Sequence, residues 1–255
     1  MSRLALVFAH PDDDSFGVSG SMAMHRDDLE ALVVLATSGE AGMIADPSLS
    51  TRENLGAVRE EESRASYRAI GVAPEHHFLR YPDGGLKDLD PAPIVAQVTD
   101  LLTAFRPEVV VTFGPEGVTK HDDHIYMGRV GTEAFHLARA KSEGGFRRLY
   151  HVGIPASRIE AFREMQRQMG QEPFDPEAPF QPRGVPDETV TVWVDATKVF
   201  DLKHEALLAH RTQMAEMDDI PEELRPMVFG LETFVQAWPE PEPGTRLSDL
   251  FEGLD

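Results

Sequence analysis

Short apolar, β-branched runs recur along this chain at the length of a buried strand, and most are separated by stretches long enough for a helix. Strands are predicted at 3–9, 29–37, 76–82, 107–114, 147–154 and 188–196. Helices are predicted at 17–28, 51–72, 91–106, 124–140 and 196–214. Strand, helix and strand in repetition demand a mostly parallel sheet with helices on both faces, hence an α/β fold. The pattern is regular over 1–155, the expected core, and loosens over 156–255. That second part carries an irregular 168–188 loop, a strand, a helix and a proline-rich connector ending in a short terminal helix. The two parts are expected to pack as one domain.

Composition narrows the chemistry. With 255 residues and 41 % hydrophobic content the chain can bury a sizeable core. It has no cysteine, so a metal would have to be held by His, Asp or Glu. A formal charge of −20 repels phosphate backbones, which argues against a nucleic-acid partner. No apolar run reaches the roughly 20 residues of a membrane span, and no basic segment with an apolar core opens the chain. A cytoplasmic protein without a membrane partner is expected; self-association into a homo-oligomer is left open.

In an open α/β sheet, ligands bind beyond the carboxyl ends of the strands. Polar clusters follow four of the expected strands: "HPDDD" (10–14), "SGEAG" (38–42), "DGG" (83–85) and "EGVTKHDDH" (116–124). Taken singly, each reads as a turn or a capped helix start, with Asp12 or Asp14 a natural capping residue. On one rim, the first and last can supply two histidines and an aspartate and leave an open position. That donor set is typical of catalytic zinc. A dication also explains three adjacent acids, since it offsets their repulsion and lets one ligate, one act as base and one brace the backbone. His121, beside a ligand but free itself, suits an acid or an oxyanion donor. Asp123 is expected to orient it through its ring N–H.

"AHPDDD", "TSGEAG" and "HDDH", in that order, resemble the LmbE/PIG-L family of zinc-dependent N-acetylglucosaminyl de-N-acetylases. The similarity runs over about residues 3–215 and takes in "REEESRASYRAIGV" (59–72), "YPDGGL" (81–86) and "KHEALLAHRTQ" (203–213). The resemblance implies a Rossmann-like fold and one Zn²⁺ per chain, held by His10, Asp13 and His124. It makes Asp12 the general base and His121 the group that assists the tetrahedral intermediate or the leaving amine. Arg59 and Asp83 match positions that hold sugar hydroxyls, Glu40 lines the pocket, and His210 falls in a helix near it. Arg59 also sits in a Glu- and Arg-rich helix, where a surface ion pair is the plain alternative. The chain departs from the family at Asp14, where Glu is common, at Asp122, where Pro is common, and at Thr119, where some members carry a tyrosine.

The implied activity is hydrolysis of an acetamide on a small N-acetylglucosaminyl substrate. The competing readings are an amidase on a non-sugar or thiol-conjugated amide, and a non-catalytic metal- or nucleotide-binding Rossmann module. The last is weakened because the first loop lacks G-x-G-x-x-G and places acids where a pyrophosphate would sit. The methionines within 213–217 are expected to pack in the core or at an interface.

Overall fold

The computed structural model describes residues 1–44, 46–213 and 220–254. Met214 and Met217 therefore lie outside the described residues. The order of elements is β1 Ser2–Phe8, α1 Asp13–Gly17, α2 Ser19–His25, β2 Leu29–Leu35, α3 Leu55–Ala69, β3 Glu75–Phe78 and α4 Pro91–Phe105. Then follow β4 Val109–Phe113, α5 Gly117–Lys120, α6 Asp122–Lys141, β5 Arg148–Val152, β6 Ile154–Pro155, α7 Ala156–Gln168 and β7 Gly184–Val185. The chain closes with β8 Val192–Asp195, α8 Phe200–Leu208, α9 Arg225–Phe229 and β9 Leu231–Trp238.

Seven strands form one sheet in the order β3-β2-β1-β4-β5-β9-β8. β3, β2, β1, β4 and β5 run parallel. β9 pairs antiparallel with both β5 and β8 and so turns the far end of the sheet antiparallel. The parallel strands read as unbroken apolar runs because helices cover both faces: β4 is buried at all five positions and β1 from Leu4 onward. Strand order reverses between β1 and β4, which is where the loops after those two strands meet. A small two-stranded sheet of β6 and β7 stands apart.

A strand forms in each predicted window, most of them shorter than expected, with β1 and β3 beginning one residue earlier. Two longer elements, β9 and α7, were not anticipated, and neither were the short α5, β7 and α9. β9, "LETFVQAW", is the longest strand, and its buried polar residues Glu232, Thr233 and Gln236 break the alternation that would reveal it. α7, "ASRIEAFREMQRQ", buries no residue and is laced by Arg163–Glu160 (2.7 Å) and Arg167–Glu164 (3.0 Å) pairs. The expected 17–28 helix forms only as α2, 19–25, and a separate short helix, α1, precedes it and ends at Gly17. No terminal helix forms among the described residues of 239–254, which make turns and a bridge from Leu247 to Val192. No helix among the described residues is long and apolar enough to cross a membrane.

A buried acid ties the later part of the chain to α2. Lys203 on α8 donates to Glu232 on β9 at 2.5 Å, with both side chains fully buried. The Glu232 carboxylate also accepts the backbone N–H of Gly20 and of Ser21 at the start of α2. It thus satisfies helix-terminal donors that would otherwise be orphaned.

Candidate metal centre

The site is built on the loops that leave β1 and β4. Asp13 folds its carboxylate back under the end of β1, where Oδ2 accepts the N–H groups of Ala9 (3.2 Å) and His10 (2.7 Å). That leaves Oδ1 facing His124, 3.2 Å from Nε2. His10 Nδ1 lies 3.1 Å from His124 Nε2 and 3.6 Å from Asp13 Oδ2. Two imidazole nitrogens and a carboxylate converge with no protein donor between them. Donors held about 2.0–2.2 Å from a tetrahedral zinc are roughly 3.3–3.6 Å from one another, so the observed spacing fits a small dication.

Each ring's other nitrogen is turned to an acceptor. His124 Nδ1 is 3.0 Å from the Gly117 carbonyl, and the ring stacks on Phe113 at 4.1 Å between centroids. His10 Nε2 lies 3.0 Å from Asp83 Oδ1 and 3.5 Å from Asp123 Oδ2, between the two carboxylates and in line with neither. Such outer partners fix ring orientation in metal sites. Besides the three histidines His10, His121 and His124, a second donor grouping, His10 with Asp83 and Asp123, is also close enough for an ion. Its carboxylates are already engaged: Asp83 accepts from Ala41 N–H, Asp123 from Gly84 and Leu86 N–H. Burial works against the charge on His10, but Asp123, Asp13 and Asp83 prevail and raise its pKa well above the ordinary value. Burial likewise opposes the charge on Asp13, and the two histidines more than compensate, holding its carboxyl well below the usual range.

Asp12 projects from a backbone with φ +147°, a conformation that side chains rarely adopt. Burial pushes its pKa up to about 6 against the pull of Arg59, whose Nη2 donates to Oδ2 at 3.1 Å. Asp14 points the other way. It is bonded by the Tyr67 hydroxyl and by Ser15 N–H, and burial raises it to about 7. Val118 (φ +60°) and Lys120 (φ +55°) place further strain beside the histidines. Gly117, just before them, has φ +63° and packs closely on α6: a Cβ there would meet Ile125 at 2.9 Å and His124 at 3.0 Å.

Several expected roles need correction. Asp123 does not orient His121 through its carboxylate; His121 instead caps α6, its Nδ1 accepting the Asp123 backbone N–H (3.1 Å), while the Asp123 carboxylate holds the 84–86 turn and His10. Arg59 is no surface ion pair. It is 3 % exposed and donates to the Gly39 and Pro11 carbonyls as well as to Asp12. Asp83, expected at a substrate hydroxyl, is in contact with His10 and Ala41, and Glu40 accepts from Asp83 N–H at 2.9 Å. His210 lies past the end of α8, fully buried, with Nε2 2.9 Å from Ser15 Oγ and Nδ1 unpartnered. Burial takes its pKa to about 3. Burial also lowers His121, with His10 and His124 adding to the effect. No tyrosine replaces the residue absent at Thr119. The hydroxyls of all four are engaged, with Asp14, Gln97, the Leu89 carbonyl and Arg148.

Other contributors were not foreseen. Gly39 and Gly42 are small because Arg59 lies against them: a Cβ on either would sit 2.4 Å from its Nη1. The glycines of "SGEAG" were the available signal. Phe180, from the irregular loop, brings its ring to 5.2 Å from that of His121. The length of the 168–188 loop was the signal that it reaches the rim, but nothing in the sequence singles out Phe180.

This is an α/β protein whose strand ends at the switch point of a parallel sheet gather histidines and carboxylates close enough to hold a metal ion. The family model for GlcNAc-PI de-N-acetylase, PIG-L, matches residues 5–135, and the chain belongs to this family. It is 31 % identical to the 1D-myo-inositol 2-acetamido-2-deoxy-alpha-D-glucopyranoside deacetylase of Salinispora arenicola, over 99 % of this chain and 91 % of that one. Against the mycothiol S-conjugate amidase of Streptomyces coelicolor identity is 28 %, over 99 % and 97 %. The N,N'-diacetylchitobiose deacetylase from Pyrococcus horikoshii has the same fold, with a TM-score of 0.62 at 23 % identity over 95 % and 84 % of the two chains.

Proposed function

We propose that this protein is a zinc-dependent N-deacetylase that hydrolyses the acetamide of an N-acetylglucosaminyl-type small molecule. The observation that carries the reading is the convergence of His10 Nδ1, His124 Nε2 and Asp13 within 3.1–3.6 Å of one another, with Asp12 and His121 adjacent. The similarity to deacetylases of acetamido sugars names the substrate class.

His10, Asp13 and His124 would hold one zinc ion, which when bound supplies Lewis-acid polarisation of the amide carbonyl and lowers the pKa of water. Asp12 takes a proton from the attacking water. Arg59 keeps that carboxylate in place and moderates its affinity for the proton. His121 accepts the Asp123 N–H at Nδ1, so its own proton sits on Nε2. From there it donates a hydrogen bond to the oxygen that gains charge as the carbonyl carbon becomes tetrahedral. With His121 neutral, the proton that reaches the departing amine comes from Asp12. The products are acetate and a free amine.

Acetate release from a panel of N-acetyl sugars, together with the metal content of the purified protein and of His124→Ala, tests this reading. Turnover of the sugars with metal lost from the variant is expected. Equal metal in both proteins would remove His124 from the site. Turnover of thiol-conjugated amides alone would favour the amidase reading.

A further inference from the structure

Four rings run outward from the core in sequence. Phe113, 4 % exposed, stacks on His124 at 4.1 Å; His124 stacks on His121 at 4.9 Å; His121 meets Phe180 at 5.2 Å. The last of them is 67 % exposed. A large apolar ring left in water beside a cluster of buried acids and histidines is placed against the usual partition of side chains.

It is also held there. The 169–183 loop is pinned at its start to α7, where Gln166 accepts from Phe174 N–H and Arg163 donates to the Phe174 carbonyl. At its end Arg183 donates its N–H to the Val118 carbonyl at 2.7 Å and its guanidinium to Glu177 at 2.6 Å. Glu177 faces Lys120 at 3.8 Å, so the loop closes on α5, directly before the histidines. Phe180 itself has φ +61°, a conformation that a side chain keeps only when its surroundings hold it.

We propose that Phe180 is a substrate-contacting specificity residue, the platform on which the apolar face of a hexopyranose ring rests. This rests on the deacetylase reading. There His121 stands at the carbonyl oxygen and the metal ligands lie behind it. A ring on the outer side of His121 therefore meets the group that carries the amide nitrogen, not the acetyl methyl. A pyranose offers a face of C–H groups, which suits a fixed aromatic ring with little conformational freedom to lose. Its hydroxyls would point to the polar rim on the other sides.

The probes are methyl 2-acetamido-2-deoxy-α-D-glucopyranoside and the acyclic amide N-acetylethanolamine. Saturation-transfer NMR from the aromatic protons should mark the glucoside ring in the native protein. The marking should fall in Phe180→Ala and return in Phe180→Trp. In parallel, the ratio of kcat/KM for the glucoside to that for the acyclic amide should drop roughly tenfold in Phe180→Ala, most of it through KM. Unchanged ring marking in Phe180→Ala overturns the proposal, and so does an equal loss on both amides, which would make Phe180 a strut of its loop. The NMR arm does not depend on turnover. Ring marking that needs Phe180, in a protein that releases no acetate from either probe, sinks the deacetylase reading and leaves the platform standing.

Discussion

Asp12, Asp13 and Asp14 are adjacent and chemically alike, yet the backbone aims each at a different neighbour. Asp13 turns back to the N–H groups of Ala9 and His10, Asp12 reaches Arg59 from a strained conformation, and Asp14 is buried against Tyr67. Under the proposed mechanism, Asp12→Asn keeps its size and its contact with Arg59 but cannot accept a proton. It should retain a full complement of metal and lose roughly 10²–10⁴-fold in kcat, the usual worth of a positioned base. Metal analysis and steady-state kinetics on the same sample decide it. Full activity would hand the role to another carboxylate, and loss of metal would make Asp12 a ligand. The residue types of the site were legible in the sequence, because "HPDDD" and "HDDH" advertise their donors. Their directions were not. Whether Asp83, Glu40 and Arg59 face a substrate or one another depends on how the loops after β2 and β3 lie against helix α3, and no spacing within one segment encodes that. The fate of Asp123 shows the same limit: its N–H, not its carboxylate, reaches His121.

At the scale of elements, the parallel half of the sheet was readable because strands buried on both faces are uniformly apolar. β9 escaped because it is the strand on which the buried charge sits. Glu232, second in "LETFVQAW", looks like a surface residue until Lys203 and the start of α2 are known to surround it. α7 escaped for the opposite reason, since a helix that buries none of its residues leaves no apolar stripe to find. The buried pair makes a quantitative prediction. Lys203→Met removes the cation and leaves the Glu232 carboxylate at 0 % side-chain exposure with only helix donors. Breaking one side of such a pair costs roughly 3–5 kcal/mol. Urea unfolding should show that loss, with the slope of the transition unchanged. A loss below about 1 kcal/mol would mean that the α2 donors alone satisfy Glu232 and that Lys203 adds little to the junction of α2, α8 and β9.

Across the whole molecule the two ends of the chain are brought together, and the clasp between them should respond to pH. His25 closes α2, early in the chain; its Nε2 lies 2.7 Å from Asp249 Oδ2, and its ring meets Phe251 edge-on at 5.1 Å. The same terminal segment pairs with β8 through Leu247 and accepts a hydrogen bond from Arg147 at the Leu254 carbonyl. The hydrogen bond to Asp249 raises the His25 pKa above its ordinary 6.5 in spite of burial. Burial opposes the charge on Asp249, but His25 and the Phe251 N–H lower its pKa below 3.8. A group whose folded pKa is raised stabilises fully below its unfolded value and loses that contribution as pH climbs through the folded value. For Asp249 the direction reverses, and the contribution is present above its usual pKa and lost as acid reaches the lowered one. Both are complete only from about pH 4 to about pH 6.5. His25→Gln, which keeps a donor but never carries charge, should therefore be less stable than the native chain near pH 6, by about 1 kcal/mol for a pair about a quarter exposed. The difference should shrink toward alkaline pH as the native histidine loses its proton. Thermal unfolding of the two proteins at pH 6 and pH 9 measures it as a difference, in which titrations common to both cancel. A gap that stayed constant, or widened at pH 9, would show that His25 holds the terminal segment by packing on Phe251 and not by its charge.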